Sequence, residues 1–258
     1  MESWRLLISP PDCGASNLAT DQAMAESVRD ESSPPTLRFY TWRPRALSLG
    51  YTQPLSIVDM DLAERRRIDV VRRPTGGQAI LHDDELTYAI ALPRNHTLTA
   101  GGVLASYQRL NQGFKRGLAT LGLDVARGRW EPDNPSGSDM VCFRSPSTHE
   151  LSSGEFKLIG SAQTRVGGTL LQHGSLPFSH DPEIYDLLRL PRPARWHGLR
   201  DLLPLPPTLG ELAQIVSTEL ADILNISFYP SDITSHERGL RDRLMDERYR
   251  SRAWITRR

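Results

Sequence analysis

The chain has 258 residues, enough for one large domain with a sizeable core, and its 38% hydrophobic and 24% charged content is ordinary for a globular protein. Its 31 acidic and 31 basic residues cancel, so no global field draws it to nucleic acid or to an anionic membrane. No apolar run approaches membrane-spanning length, the N-terminus lacks the apolar core of a signal peptide, and two cysteines, Cys13 and Cys142, are too few for a disulfide framework or a thiolate zinc site, which together predict a soluble cytoplasmic protein.

In chain order, Ser16 to Val28 reads as a helix capped by Ser16 or Asn17, with apolar Leu18, Ala19, Ala23 and Val28. Strands are predicted over Thr36 to Trp42 and Ala46 to Gly50, around an Arg43-Pro44-Arg45 turn. Asp59 to Arg67 reads as a short charged helix. Val70 to Arg73 leads into Pro74-Thr75-Gly76-Gly77-Gln78, after which Ala79 to Leu81 and Leu86 to Leu92 have strand character. Val103 to Leu121 carries Val103, Tyr107, Leu110, Phe114, Leu118 and Leu121 on one helical face, with Arg109, Lys115 and Arg116 solvated on the other. A glycine- and proline-containing loop, Gly128 to Asp139, delivers Val141-Cys142-Phe143.

Phe156 to Ile159 reads as a short strand interrupted by Lys157. A Gly160-Ser161-Ala162-Gln163 turn follows, and Thr169 to Gln172 is the second strand of a hairpin-like pair. A proline-rich segment from Leu190 to Pro207 joins this core to two final helices, opened by capping boxes at Thr208/Glu211 and Thr234/Glu237. Hairpins alternating with isolated helices predict an α+β fold, a mixed and mostly antiparallel sheet sandwiched by helices in a single domain over residues 1–258.

Two stretches carry chemistry. In Arg72-Arg73-Pro74-Thr75-Gly76-Gly77-Gln78-Ala79-Ile80-Leu81-His82, consecutive glycines admit close backbone approach, their amides suit a negative group, and the arginines offer charge to a carboxylate or phosphate. No P-loop or dinucleotide fingerprint occurs. The other stretch runs from Gly154 to Leu176 around Lys157. Of the 31 basic residues only Lys115 and Lys157 are lysines, and an ammonium is a point donor that a guanidinium does not replace; the plain alternative is a solvent-facing strand lysine. His82, Asp83, Asp84 and Glu85 are consecutive in an extended segment, so their side chains diverge and no metal is predicted.

Taken together, Arg72 to His82, Glu85-Leu-Thr-Tyr88, Gly154 to Gln163 and Leu171-Gln-His-Gly-Ser175 resemble the lipoate-protein ligase and octanoyltransferase family, related in fold to the biotin protein ligases. The resemblance covers roughly residues 16 to 180, with the segment 208–258 as a helical C-terminal part. It implies a biotin/lipoate protein ligase-like (class II synthetase-like) catalytic domain with a tunnel for an eight-carbon acyl chain. In it Lys157 contacts the acyl carbonyl or the acyl-adenylate, and Arg73, Thr75, Gly76, Gly77, Gln78, His82, Gly160, Ser161, Ala162, Gln163, His173 and Gly174 line the substrate pocket. His82 and His173 are read as structural within it. Gln78 departs from the family, which usually has Arg or Gly there.

Cys142-Phe-Arg-Ser-Pro-Ser147, fifteen residues before Lys157, is similar to the stretch in which cysteine-dependent octanoyltransferases place their nucleophile, and Glu150-Leu151 fits as well. A thiolate attacks a thioester at little thermodynamic cost, giving an acyl-enzyme that a lysine amine cleaves. Lys157, Arg144 or His149 would supply the cation such a thiol needs. This implies an octanoyltransferase using octanoyl-acyl carrier protein as donor. Its acceptor would be an apo lipoyl domain, that of glycine cleavage H protein or 2-oxoacid dehydrogenase E2, with no cofactor. Two alternatives stay open at this level: an ATP- and Mg²⁺-dependent lipoate ligase, and a non-catalytic binder of acylated or lipoylated proteins. Cys142 as a buried structural thiol is the plain alternative; Cys13 is read as incidental.

Overall fold

The computed structural model describes residues 1–127, 140–143, 150–154, 156–192 and 197–257. Among them the strands are β1 (Glu2–Ile8), β2 (Thr36–Tyr40), β3 (Ala46–Leu49), β4 (Asp69–Arg72), β5 (Ile80–His82), β6 (Glu85–Leu92), β7 (Ala126–Arg127), β8 (Leu151–Ser153), β9 (Phe156–Lys157), β10 (Gly160–Val166), β11 (Thr169–Pro177) and β12 (Ile226–Pro230). The helices are α1 (Gly14–Arg29), α2 (Met60–Arg65), α3 (Gly102–Thr120), α4 (Glu183–Leu187), α5 (Leu199–Leu202), α6 (Leu209–Leu224), α7 (Ser235–Leu244) and α8 (Arg252–Ile255). None of the helices among the described residues is long and apolar enough to cross a membrane.

The central sheet has the order β10-β11-β6-β2-β1-β12. Its first four strands are antiparallel, whereas β2, β1 and β12 run parallel. Two small sheets, β4-β3-β5 and β7-β8-β9, complete the mixed, helix-flanked α+β architecture expected from the sequence. Strand β6 is buried along its whole length because both faces are covered. Tyr88, Ile90 and Leu92 point to α3 and α6, meeting Phe114, Leu118, Val216 and Leu220. Ala89 and Ala91 point the other way, onto Leu18 and Ala19 of α1. With fourteen of its sixteen residues buried, α1 is a central helix, and its alanines let sheet and α7 approach from opposite sides.

Two buried ion pairs tie distant segments together. Arg38 of β2 donates to Asp21 of α1 at 2.8 Å, and Arg5 of β1 forks onto Glu237 of α7. Burial acts to raise the Glu237 carboxyl, but Arg5, the Thr234 amide and the Ser33 hydroxyl outweigh it and hold it below its ordinary value. Glu237→Ala strands a buried guanidinium and should cost about 3–5 kcal/mol in urea unfolding. Because the folded value is depressed, the pair stabilises above the unfolded carboxylate pKa of about 4.3 and is lost as pH falls through the folded value. The wild type should therefore lose stability below about pH 4 more steeply than the variant.

Several expectations change. Helix α1 begins at Gly14, and its first turn is held by Asp12, which accepts from the Cys13 amide at 2.8 Å and from the Ser16 hydroxyl; neither Ser16 nor Asn17 is the cap. The Gly160–Gln163 segment is not a turn. It is the start of β10, which pairs with β11 (Gly160↔Ser175 through Val166↔Thr169), and the turn is Gly167-Gly168, both at positive φ. The Lys157 strand is instead β9, paired with β8 in a separate sheet (Ser152↔Lys157). On α3, Tyr107, Leu110, Phe114 and Leu118 are buried as expected, but Val103 is 56% exposed. Both C-terminal capping boxes are present, and a strand, β12, lies between the helices they open. The expected loop over Gly128 to Asp139 lies outside the described residues.

Candidate active site

A cavity of about 350 Å³ lies between the α1-facing side of the central sheet and the small sheet β4-β3-β5. Its position follows from the register. Across β10, β11, β6 and β2, the row Gly160, Ser175, Thr87, Tyr40 forms one continuous strip of floor. Ser48 of β3 with Ile80 and His82 of β5 form the opposing wall.

Cys142 stands at the β10 end. Its amide donates to Ala79 O at 3.0 Å, and the Ala79 amide donates to Met140 O at 3.0 Å, so a short parallel bridge clips the cysteine to the chain leaving Gly77. A Cβ on Gly160 would lie 3.0 Å from Cys142 Sγ, so a glycine there leaves the sulfur its space. Lys157 reaches the same point from β9: its Nζ donates to Cys142 O at 2.7 Å and to Cys142 Sγ at 3.2 Å, and pairs with Glu150 Oε1 at 2.7 Å. The Lys157 side chain is 3% exposed. Burial pulls its ammonium down, but the charges of Cys142 and Glu150 outweigh burial and push it above the ordinary lysine value. Lys157 is thus a charged donor at neutral pH. His180, its ring against Phe143, is pushed down by burial to about 4 and is neutral there.

The wall histidines are held by the protein. His82 Nδ1 donates to Glu85 Oε1 at 2.7 Å, its Nε2 sits 2.7 Å from Ser48 Oγ, and its ring stacks on Trp42 at 4.0 Å. Glu85 also accepts from Ser175 at 2.6 Å and from Thr87, which in turn accepts from Trp42 Nε1 at 2.7 Å. His173 lies 2.7 Å from Thr75 Oγ1 and 3.4 Å from Asp21, and burial lowers its pKa, so it stays neutral. These closed networks satisfy the polar groups of the wall internally, so the cavity presents a largely apolar face to its contents.

Of the residues expected in the pocket, Arg73, Gly77, Gln78, His82, Gly160, Ser161, Ala162, His173 and Gly174 line the cavity together with Cys142 and Lys157. Three lie behind it. Thr75 supports His173, Gly76 offers its carbonyl to Arg73, and Gln163 turns to Ser106 and Gln172. The two arginines separate. Arg73 is buried and bonded to the Ser48, Gly76 and Gln78 carbonyls, with burial pushing it down to about 10 against the opposing Cys142 charge. Arg72 faces away and grips carbonyls of Gly50, Gln53, Trp254 and Ile255, so it anchors the C-terminus and offers no charge to the cavity. Gln78 accepts from Gln53 at 3.0 Å. Asp83 and Asp84 point to Arg45 and Arg200, away from the His82–Glu85 pair. Arg144 and His149 lie outside the described residues.

Sequence reasoning did not assign Leu18, Tyr40, Trp42, Ser48, Thr87, Glu150 or Ser175 to this wall. The alternation of Tyr40 and Trp42 within the predicted strand is a usable signal for two of them; Glu150 fits the stretch around Cys142 and carries no further signal in the sequence.

A cysteine and a charged lysine in hydrogen-bond contact beside a largely apolar cavity are groups that acyl transfer can use, a nucleophile and an oxyanion donor. The chain belongs to the family described as the lipoyl protein ligase A/B catalytic domain, whose model matches residues 14–221. Over its full length it is 35% identical to the octanoyltransferase LipM of Moorella thermoacetica, covering 99% of that protein. It is also 36% identical to the octanoyltransferase LipM of Kyrpidia tusciae, over 95% of this chain and 96% of that one. A solved lipoate-protein ligase A bound with ATP superposes with a TM-score of 0.83 at 25% identity, covering 99% of both chains. By these relatives the protein is an acyltransferase.

Proposed function

We propose that the protein is an octanoyltransferase of protein lipoylation. Cys142 takes an octanoyl group from octanoyl-acyl carrier protein and passes it to a lysine of an apo lipoyl domain, that of glycine cleavage H protein or 2-oxoacid dehydrogenase E2. The observation that carries this reading is the 3.2 Å contact between Lys157 Nζ and Cys142 Sγ at the cavity wall. In the first step the Cys142 thiolate attacks the donor thioester carbonyl, and collapse of the tetrahedral oxyanion expels the carrier's thiolate, which takes up a proton. In the second, the acceptor amine attacks the acyl-enzyme, loses a proton to solvent and expels Cys142 as thiolate. Lys157 stabilises the oxyanion in both steps. Thioester exchange followed by amide formation runs downhill, so neither ATP nor a redox group is required. A carrier-protein donor fits a cytoplasmic reaction.

Chain length follows from the strand register. Gly160 and Tyr40 are separated by three strand spacings, about 14 Å. An eight-carbon chain advances about 1.2 Å per bond and spans roughly 9 Å. The remaining length is filled by Tyr40, Trp42 and Leu18, the last placed over β2 because its neighbours Asn17 and Asp21 accept from Arg38 and Tyr40. Leu18→Phe should shorten the tunnel and shift preference from octanoyl to hexanoyl donor by about tenfold or more in competition.

The likeness to ATP-bound lipoate-protein ligase A favours a second reading, an ATP- and Mg²⁺-dependent ligase. Mass analysis of an apo lipoyl domain separates the two. The transferase octanoylates it from octanoyl-acyl carrier protein with no ATP; modification only from free lipoate or octanoate plus ATP and Mg²⁺ overturns the transferase reading.

A further inference from the structure

We propose that Glu150 is the positioning residue that aims the Lys157 ammonium at Cys142 Sγ and at the thioester carbonyl formed there. The inference rests on the reading of Cys142 as the acyl carrier.

An ammonium has three N–H donors and no acceptor. Here all three are accounted for by Cys142 O, Cys142 Sγ and Glu150 Oε1. Once two bonds are fixed, the direction of the third proton is no longer free. The Cys142 carbonyl and the Glu150 carboxylate are the two fixed acceptors, both at 2.7 Å, and the sulfur at 3.2 Å is the one that changes during the reaction. When the sulfur is acylated, the third N–H is left on the carbon side of the new thioester, where the oxyanion develops. A lysine stem has four rotatable bonds and a large rotamer entropy, so one carbonyl anchor alone would let the ammonium swing.

The fold supplies this anchor by strand pairing. Glu150 immediately precedes β8, and β8 runs antiparallel to β9, with Ser152 opposite Lys157 and the Leu158 amide donating to Leu151 O at 2.8 Å. That pairing brings the start of β8 beside the tip of the Lys157 side chain. Glu150 lines the cavity together with Cys142 and Lys157. On the other flank, the Phe143 ring centroid is 5.3 Å from Nζ and narrows the remaining freedom.

The test uses the burst of p-nitrophenolate released as Cys142 is acylated by p-nitrophenyl octanoate, with octanoyl-acyl carrier protein run in parallel. Glu150→Ala should slow acylation by about 10²-fold, the usual effect of misplacing a group by an ångström, with KM for the carrier protein unchanged. Glu150→Gln keeps an oxygen acceptor at the same distance and should recover acylation to within a few-fold of wild type, an isosteric rescue that a change in folding alone does not produce. Equal bursts from wild type and Glu150→Ala, or Glu150→Gln as slow as Glu150→Ala, overturn the proposal, as does a wild type with no burst. A wild type that gives a burst with the ester but no reaction with octanoyl-acyl carrier protein counts against the donor assignment alone, and the ester arm still decides the role of Glu150.

Discussion

Cys142→Ala should remain folded and lose octanoyl transfer to a lipoyl domain by on the order of 10⁴-fold or more, the scale seen when an enzyme's nucleophile is deleted. The substitution removes one sulfur from a half-buried position that is fixed through the main chain, by the Ala79 bridge, so the local backbone loses no hydrogen bond. No second thiol can substitute. Cys13, the other cysteine, precedes α1 and is not among the residues lining the cavity. Steady-state transfer, read by the mass of the acceptor domain, checks this. Retention of more than about a tenth of the wild-type rate would mean that the acyl group passes directly from donor to acceptor.

Lys157→Met keeps the apolar stem and removes the ammonium. It should slow acyl-enzyme formation by about 10²–10³-fold, the cost of losing one preorganised oxyanion donor. Lys157→Arg should not restore it. A planar guanidinium cannot place single N–H donors on the Cys142 carbonyl, the sulfur and Glu150 in the tripod that Lys157 makes. The Met variant also removes the 2.7 Å ion pair between Lys157 and Glu150, so a fall in thermal stability should accompany the kinetic loss. Rapid-quench mass analysis of the first turnover reads acylation directly. Wild-type rates in both variants would reduce Lys157 to packing.

The residues that gather around the cavity were more legible in the sequence than the strand pairing was. The fifteen-residue spacing of Cys142 and Lys157, the rarity of lysine and the Arg73 to His82 run lead to residues that meet around one cavity. Helix α3 and both C-terminal capping boxes are local signals, and they read correctly because local chemistry decides them. The failures share a cause. Gly160 suggested a turn because glycine is read as backbone freedom, yet its φ is ordinary and its missing side chain makes room for the Cys142 sulfur. The positive-φ pair Gly167-Gly168 was the real turn. Arg72 and Arg73 look equivalent in the chain, but Arg72 ends β4 and Arg73 directly follows it, and their side chains part, one to the carbonyls of α8 and one to the cavity. Strands β1 and β12 depend on pairing across the whole length of the chain, and the charge on Arg5 is tolerated only because Glu237 meets it there.

Whether Cys142 carries the octanoyl group is decided by mixing the protein with octanoyl-acyl carrier protein in the absence of ATP, quenching in acid and mapping the adduct by peptide mass spectrometry. One octanoyl group is expected on the peptide containing Cys142, labile to hydroxylamine and discharged on addition of an apo lipoyl domain. An unmodified Cys142 peptide while the lipoyl domain becomes octanoylated would contradict it.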